Sequence, residues 1–271
     1  SEIFPNIAQT PVWKMLLVMT VGFTLLPVPV SLDIRGWTEM HPLNGPAWSL
    51  FFEYIANILY AVLIRKFTSR WLAVLVFLAA CALIHQCYTQ GNNIGGWTLD
   101  VEQCRVGLTR LMFPFFGGLL LFRLCKPGRV RHGFWWCSLL LVGALAMPHV
   151  GGAENFHLNG LYDAFCIIVI FPAVVFLGAS DIPGDISSRP SRFLGNISYP
   201  LYITHYPIVY LYLAWVHDAE VPFSRALPVA VGVLFICIAV AYGCLKLYDE
   251  PVRAWLSKRV LARRAPEQPR P

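Results

Sequence analysis

The sequence has 271 residues, of which 57% are hydrophobic and only 13% are charged. Soluble domains usually carry about 25% charged residues, and apolar runs recur along this whole chain. A run of about 20 apolar residues crosses the roughly 30 Å hydrocarbon core of a bilayer as a helix, which satisfies its own backbone hydrogen bonds. The composition therefore argues against a soluble protein and predicts an all-α, polytopic transmembrane helix bundle.

In chain order, the apolar runs predict eight membrane-spanning helices, which leaves both chain ends in the cytoplasm. The runs are Val12–Val30, Ala47–Ile64, Trp71–Tyr88, Val106–Phe122, Gly133–Val150, Leu161–Ala179, Ile197–Val216 and Leu227–Leu247. Pro27 and Pro29 weaken the end of the first run. A secretory signal peptide is its alternative interpretation, although no small-residue cleavage site follows it.

Positive charge is distributed unequally between the two sets of predicted loops. One set and the C-terminal tail hold most cations, namely Arg65, Lys66, Arg70, Arg123, Lys126, Arg129, Arg131, Arg189, Arg192 and those of residues 253–271. The other set holds mainly acids: Asp33, Glu39, Asp100, Glu102, Glu154, Asp218 and Glu220. Since cytoplasmic loops are enriched in Lys and Arg, the basic set is predicted to be cytoplasmic.

This asymmetry predicts a transmembrane domain over residues 1–252 and a basic cytoplasmic tail over residues 253–271. The tail is expected to begin as a short surface helix and to end disordered. The net charge of +6 then reflects topology and contact with anionic lipid headgroups. Nucleic acid is not an expected partner, because no soluble domain carries a basic patch.

The cysteines do not indicate a bound cofactor. The chain has 8 of them, and none has the spacing of a metal site. Cys87 and Cys104 flank one predicted outer loop and could either pair in an oxidising compartment or remain free. No metal or bound cofactor is expected, and the chain contains neither a phosphate-binding glycine loop nor a GxSxG motif.

Polar residues inside apolar helices are costly in lipid and often mark functional sites. Ser49, Glu53, Asn57 and Tyr60 follow one another at the spacing of a single helix face. The Glu53 carboxylate could accept a proton or orient a base. A structural hydrogen bond between helices is an equally good interpretation.

A second polar face comprises Ser198, Tyr202 and His205. His205 lies near the middle of its predicted span, where an imidazole can shuttle protons near neutral pH. The alternative is a histidine that is simply hydrogen-bonded within the bundle.

Two arginines and a pair of acidic residues complete the candidates. Arg110 lies inside its predicted span and could hold a phosphate or a carboxylate with two hydrogen bonds. Arg123 lies at the cytoplasmic edge, where snorkelling also accounts for it. Asp249 and Glu250 follow the last span, against the helix dipole, and indicate a partner such as Arg253 or a cytoplasmic loop.

Four motifs, in this order along nearly the whole chain, resemble those of the acyltransferase family 3 membrane proteins, which O-acylate sugars and other surface polymers. The motifs are Trp48-Ser49-Leu50 with Glu53, then Arg110 with Phe115-Phe116-Gly117 and Arg123, then LGNISYPLYITHYP over 194–207, and finally Tyr248, Glu250, Pro251 and Arg253. Their order and spacing make the resemblance specific.

The resemblance implies a multi-pass O-acyltransferase of the bacterial inner (cytoplasmic) membrane. An acyl group, such as acetyl, would pass from acyl-CoA to a hydroxyl of a glycan or lipid-linked saccharide. The implied catalytic candidates are Glu53, His205 and Ser198. The implied substrate-binding residues are Trp48, Ser49, Arg110, Arg123, Tyr199 and Tyr202, and Glu250 and Pro251 form a structural motif.

The resemblance also implies a histidine base and an arginine-rich entry in the first family span. Nothing before Val12 can supply that helix, so we expect the chain to lack about two N-terminal spans of the family. A divergent member without the usual activity is the alternative.

Two other classes of protein stay open at this stage. A glycan or lipid transporter would use the same intramembrane polar residues, but it commonly shows broken helices in corresponding halves, and no such symmetry is visible. A non-catalytic membrane protein would use its polar faces only to hold helices together.

Overall fold

The structure is a computed structural model that describes residues 2–149, 152, 154–181 and 185–261. Within these residues the fold is all-helical, and the only strand-like contacts are two isolated bridges, Glu39–Thr98 and Val130–Asp181. The chain divides into two compact units. The N-terminal unit is Asn6–Ser188, and the C-terminal unit runs from Arg189 onward and includes the first residues up to Pro5.

In the described part of the chain, one long helix overlaps each of the eight predicted spans. They are α1 (Val12–Gly22), α2 (Ala47–Val62), α3 (Ser69–Gln90), α4 (Val101–Leu124), α5 (Gly133–Leu145), α6 (Phe156–Ala179), α7 (Asp185–Asp218) and α8, which begins at Phe223. Among the described helices, α3, α4, α6 and α8 are long and apolar enough to cross a membrane, whereas α1, α2 and α5 are shorter apolar helices. The all-helical membrane fold is therefore confirmed, while the number of spans and their orientation stay predictions.

The first helix is shorter than the sequence predicted. It ends at Gly22 instead of Val30. Leu25 has a φ of 58°, in the left-handed region that interrupts a helix, and the prolines that follow cannot donate a helical hydrogen bond. The chain instead turns back, and the backbone N–H of Val28 donates to the carbonyl oxygen of Met40 at 2.9 Å.

The fifth helix also ends earlier than predicted, at Leu145 instead of Val150. Pro148 follows three residues later and disfavours helical geometry at Met147, the residue before it. Residue 150 itself lies outside the described residues.

The last helix extends beyond both predicted ends. It begins at Phe223 instead of Leu227 and continues past Leu247 to Leu261, with π-helical turns at Leu245–Asp249 and Ser257–Leu261. A π turn rearranges the backbone hydrogen bonds, and here it lies directly before Pro251, which has no N–H to donate.

This extension changes the environment of the acidic pair, which lies inside a helix and not at its C-terminus. Asp249 pairs with Arg253, one of the two partners that the sequence suggested, and Lys246 donates to Glu250 at 2.6 Å. The helix passes from residue 252 to residue 253 without a break. The remainder of the predicted tail, residues 262–271, lies outside the described residues.

The core of the N-terminal unit forms where α3 packs against α4 and α6. Buried residues of α3 recur every three or four positions and so form one face; they are Leu72, Val76, Ala79, Leu83 and Cys87. They meet Phe113 and Phe116 of α4 and Ala164 of α6. Thr68 caps the start of α3 by accepting from the N–H of Trp71 at 3.4 Å.

The cysteines are all free, including the two for which pairing was considered. Cys87 is buried in the core and Cys104 is half-buried, and no disulfide joins them. Burial in a packed core accounts for Cys87 as a small apolar side chain.

Gly160 is the point of closest approach between α6 and α3, because a Cβ there would overlap the carbonyl group of Cys87. We predict that Gly160→Ala destabilises the protein by about 1–3 kcal/mol, the usual cost of overpacking. Gly143→Ala is the matched control, since a Cβ on that helical glycine meets nothing within 4 Å. Thermal unfolding midpoints in detergent measure both, and equal midpoints would contradict the predicted close packing.

Candidate active site

Two of the predicted substrate-binding residues, Trp48 and Arg110, lie against each other in the N-terminal unit. Trp48 is in the first turn of α2, and the guanidinium carbon of Arg110 on α4 lies 4.6 Å from the centroid of its ring. The Arg110 guanidinium also donates to the carbonyl oxygen of Gly95. Because both side chains are half-buried, the pair presents a fixed cation on an aromatic face.

The loop before α4 can lie this close to Trp48 because it is built from glycines. Gly95 and Gly96 have φ values of 122° and 100°, which side chains rarely adopt. A Cβ at Gly96 would come within 2.9 Å of both the Trp48 ring and the backbone of Gly107. Gln103 of α4 fastens the loop, since its side-chain oxygen accepts from the N–H of Gly96 at 2.6 Å.

Glu53 lies on an exposed face of α2, one turn beyond Ser49. Its carboxylate accepts no hydrogen bond and joins no ion pair with any residue that the structure describes. Asn57 donates to the main-chain oxygen of Glu53, not to its carboxylate, at 2.9 Å, and the Ser49 hydroxyl donates to the oxygen of Pro46 at 3.2 Å. The predicted polar face therefore exists, but it does not join α2 to a neighbouring helix through Glu53.

Arg123 lies in the last turn of α4, whereas Arg110 lies near the middle of the helix. At 1.5 Å per residue the two positions are about 20 Å apart. Its guanidinium donates to the carbonyl oxygen of Phe67 at 2.7 Å, in the connection between α2 and α3. The two arginines of the second motif therefore do not meet at one site.

In the C-terminal unit, α7 carries Ser198, Tyr199, Tyr202 and His205. The Ser198 hydroxyl is exposed and donates to the oxygen of Gly195 at 2.9 Å. Tyr199 and Tyr202 are also exposed. The centroids of the Tyr202 and His205 rings lie 6.3 Å apart, so this predicted face is continuous along the helix.

The hydrogen bonds of His205 assign its tautomer. Its Nδ1 atom lies 2.8 Å from the carbonyl oxygen of Leu201 and 3.1 Å from that of Tyr202. Carbonyl oxygens only accept, so Nδ1 carries the proton and donates it. The Nε2 atom therefore keeps its lone pair and is the basic nitrogen of the ring.

The connection between α1 and α2 holds a buried polar cluster, whereas the charge pattern of the sequence predicts Asp33 and Glu39 only as loop charges. Arg35 forms an ion pair with Glu39, and both are buried. The Asp33 carboxylate accepts from the N–H groups of Arg35, Gly36 and Thr38 at 2.9–3.0 Å. An Asp that precedes Gly by a few residues is a usual turn former, which is the local signal that could have identified this loop.

His41 lies in the same connection between α1 and α2 and is also buried. Its Nε2 lies 3.2 Å from the carbonyl oxygen of Leu25, whereas Nδ1 has no hydrogen-bond partner among the described residues. Burial lowers the pKa of His41, and the hydrogen bond with Leu25 opposes this only in part. His41 is therefore neutral at pH 7, in the turn that leads into α2 and Trp48.

These features describe a helical membrane protein with polar residues gathered at the start of α2 and along α7. Comparison with known families identifies its class. The model of the acyltransferase domain that defines acyltransferase family 3 matches residues 3–245. The chain belongs to this family, and the resemblance noted in the sequence is confirmed. No curated protein and no solved structure matches the chain significantly.

The family match includes most of the predicted site residues and implies acyl-transfer activity in general. Trp48, Glu53, Arg110 and His205 lie inside it. Glu250 and Pro251, the proposed structural motif, lie beyond its end, within α8.

We predict that acidification weakens the fold through His41. Its folded-state pKa is below the ordinary value of 6.5, so the unfolded chain binds the proton more readily and stability falls as the pH drops below 6.5. Unfolding midpoints measured between about pH 7.5 and pH 5 should show a smaller decline in His41→Gln than in the wild type. His85→Gln, at an exposed histidine of α3, is the control, and an unchanged decline in His41→Gln would refute this role.

We also predict that Trp48 and Arg110 stabilise the fold together. In a double-mutant cycle of Trp48→Leu and Arg110→Met, the coupling free energy should be about 0.5–2 kcal/mol, as for a cation over an aromatic ring. The measurement is the free energy of unfolding in detergent. A matched cycle of Trp48→Leu with Arg105→Met, whose arginine pairs with Glu102, should be additive; additivity in the first cycle would contradict the prediction.

Proposed function

We propose that the protein is an integral membrane O-acyltransferase that moves an acyl group, such as acetyl, from acyl-CoA to a hydroxyl of a glycan or lipid-linked saccharide. The proposed location is the bacterial inner membrane. The observation that carries this proposal is the family match over residues 3–245, together with polar side chains on otherwise apolar helices.

The reaction requires a base, because the acceptor hydroxyl must lose its proton as its oxygen attacks the thioester carbonyl. The geometry of α7 supports His205 in this role, since its Nε2 atom has a free lone pair. A C–O bond forms, the C–S bond breaks, and the proton taken by His205 passes to the coenzyme A thiolate. Ser198 lies about two turns away on the same face. Its hydroxyl would have to rotate away from the Gly195 oxygen in order to donate to the oxyanion that develops on the thioester.

The two tyrosines of α7 support a donor path along this helix. Tyr199 and Tyr202 are exposed, and tyrosine suits contact with the adenine ring and the polar groups of acyl-CoA. Arg123 is a further candidate for binding the donor, and its guanidinium also holds the Phe67 carbonyl.

The Trp48–Arg110 pair supports acceptor binding. An aromatic ring can cover the apolar face of a sugar. A guanidinium held against that ring suits contact with sugar hydroxyls or with the phosphate of a lipid carrier. Ser49 lies in the next position of the same helix turn.

The environment of the Glu53 carboxylate favours a role in the reaction over a purely structural role. A carboxylate on an apolar helix is expensive in lipid unless it has a partner or lines a polar space, and none of the described residues pairs with it. We propose that Glu53 faces the acceptor path, where it orients the hydroxyl or, as the alternative base to His205, accepts its proton.

Two substitutions test these assignments in membranes supplied with radiolabelled acyl-CoA. His205→Ala and Glu53→Gln should each lower the transfer of label to membrane glycans by about 100-fold or more, the usual contribution of a general acid or base. The matched controls are His85→Ala and Glu102→Gln, at an exposed histidine and at a carboxylate paired with Arg105.

Wild-type rates of transfer in both variants would refute the roles assigned to His205 and Glu53. The acyl-transfer activity of the family would not be affected by that result. No transfer by the wild-type protein, with any membrane glycan present, would instead favour the transporter or the non-catalytic protein.

A further inference from the structure

A cluster of three cations surrounds the connection between α2 and α3. Arg65 and Lys66 lie in the short helix Ile64–Lys66, and Arg70 lies in the first turn of α3. All three side chains are exposed, and none forms an ion pair with a carboxylate in the part of the chain that the structure describes. We name these three residues the α3 cation cluster.

The connection that carries this cluster is held in a fixed shape. Ile64 is 5% exposed and Leu72 is fully buried, so the chain is anchored in the core on both sides of the cations. Between them, the Phe67 carbonyl oxygen accepts from Arg123 of α4 at 2.7 Å. The backbone that carries the three cations is therefore held in place by the core. A ligand need not order this connection when it binds.

A groove of about 690 Å³ lies directly beside the cluster. Its polar end is formed by Thr68, Ser69 and Arg70, and its apolar wall by Trp71 and Val74, which are 65% and 48% exposed. The groove thus joins hydroxyls and a cation to apolar surface on one of the membrane-length helices. Tryptophan is the side chain typical of the interface between headgroups and acyl chains.

We propose that this groove is a binding site for an anionic phospholipid, and this proposal does not depend on the acyl-transfer reaction. The phosphate would lie at Ser69 and Arg70, with Arg65 and Lys66 beside it, and an acyl chain would cover Trp71 and Val74. Charge complementarity selects the occupant, because a zwitterionic lipid brings no net charge to the three cations whereas an anionic lipid brings a net negative charge. The apolar wall selects a lipid over a soluble phosphate.

The test uses the full chain in detergent, titrated with phosphatidylglycerol or phosphatidylcholine whose acyl chains are brominated. Quenching of Trp71 fluorescence reports occupancy of the groove, and Trp71→Phe identifies this signal among the 9 tryptophans. The wild-type protein should prefer phosphatidylglycerol by about tenfold or more, since each cation near a headgroup contributes roughly fivefold.

A triple variant, Arg65→Gln, Lys66→Gln and Arg70→Gln, should lose most of this preference, and Arg70→Gln alone should lose part of it. The matched control removes the same charge from the connection between α4 and α5, as Lys126→Gln, Arg129→Gln and Arg131→Gln, and should keep the preference. Unfolding midpoints confirm that each variant is folded.

Three outcomes would overturn the proposal. Equal affinity of the wild-type protein for the two lipids would show that charge does not select the occupant. Equal losses in the two triple variants would assign the preference to overall surface charge. Displacement of the lipid by coenzyme A or by inorganic phosphate would assign the α3 cation cluster to a soluble phosphate ligand.

Discussion

The packing of α3 between α4 and α6 is the constraint on which the rest of the N-terminal unit depends. One face of α3 is buried over most of its length, and Gly160 lets α6 approach the carbonyl group of Cys87 without a side chain between them. In a bilayer, helices associate through close packing of this kind. Lipid tails are as apolar as the side chains, so the hydrophobic effect does not drive the helices together. The position of α4, and with it that of Arg110, follows from this packing.

The two arginines of α4 show how one kind of residue serves different purposes. Arg110 lies over the Trp48 ring and is held by a glycine-rich loop. Arg123 instead fixes the connection that carries the α3 cation cluster. Each arginine donates a hydrogen bond to a backbone carbonyl oxygen. This bond fixes the guanidinium and limits the other groups that it can bind. Only Arg110 also offers an aromatic neighbour, and this separates a candidate acceptor site from a structural anchor.

The candidate residues of the two units differ in how firmly they are held. His205 is fixed by two carbonyl oxygens of its own helix, which assign the proton of the neutral ring to Nδ1. Glu53 has no such restraint among the described residues, so its carboxylate is the less constrained of the two side chains.

The amino-acid sequence by itself determined the helical membrane fold, the place of each long helix and the family. Apolar runs of sufficient length have few alternatives in lipid, and the motifs at Trp48, Arg110 and 194–207 are local strings. It placed the helix ends at Val30 and Val150 wrongly, because proline and left-handed residues act on one or two positions that hydropathy averages over. It also ended the last helix too early, at Leu247, because the segment that continues this helix carries charged residues. Only the tertiary structure decided that Arg110 meets Trp48 while Arg123 does not, and that Asp33, Arg35, Glu39 and His41 are buried. Those facts depend on which segments approach each other across long separations in the chain, and helix periodicity carries no information about that.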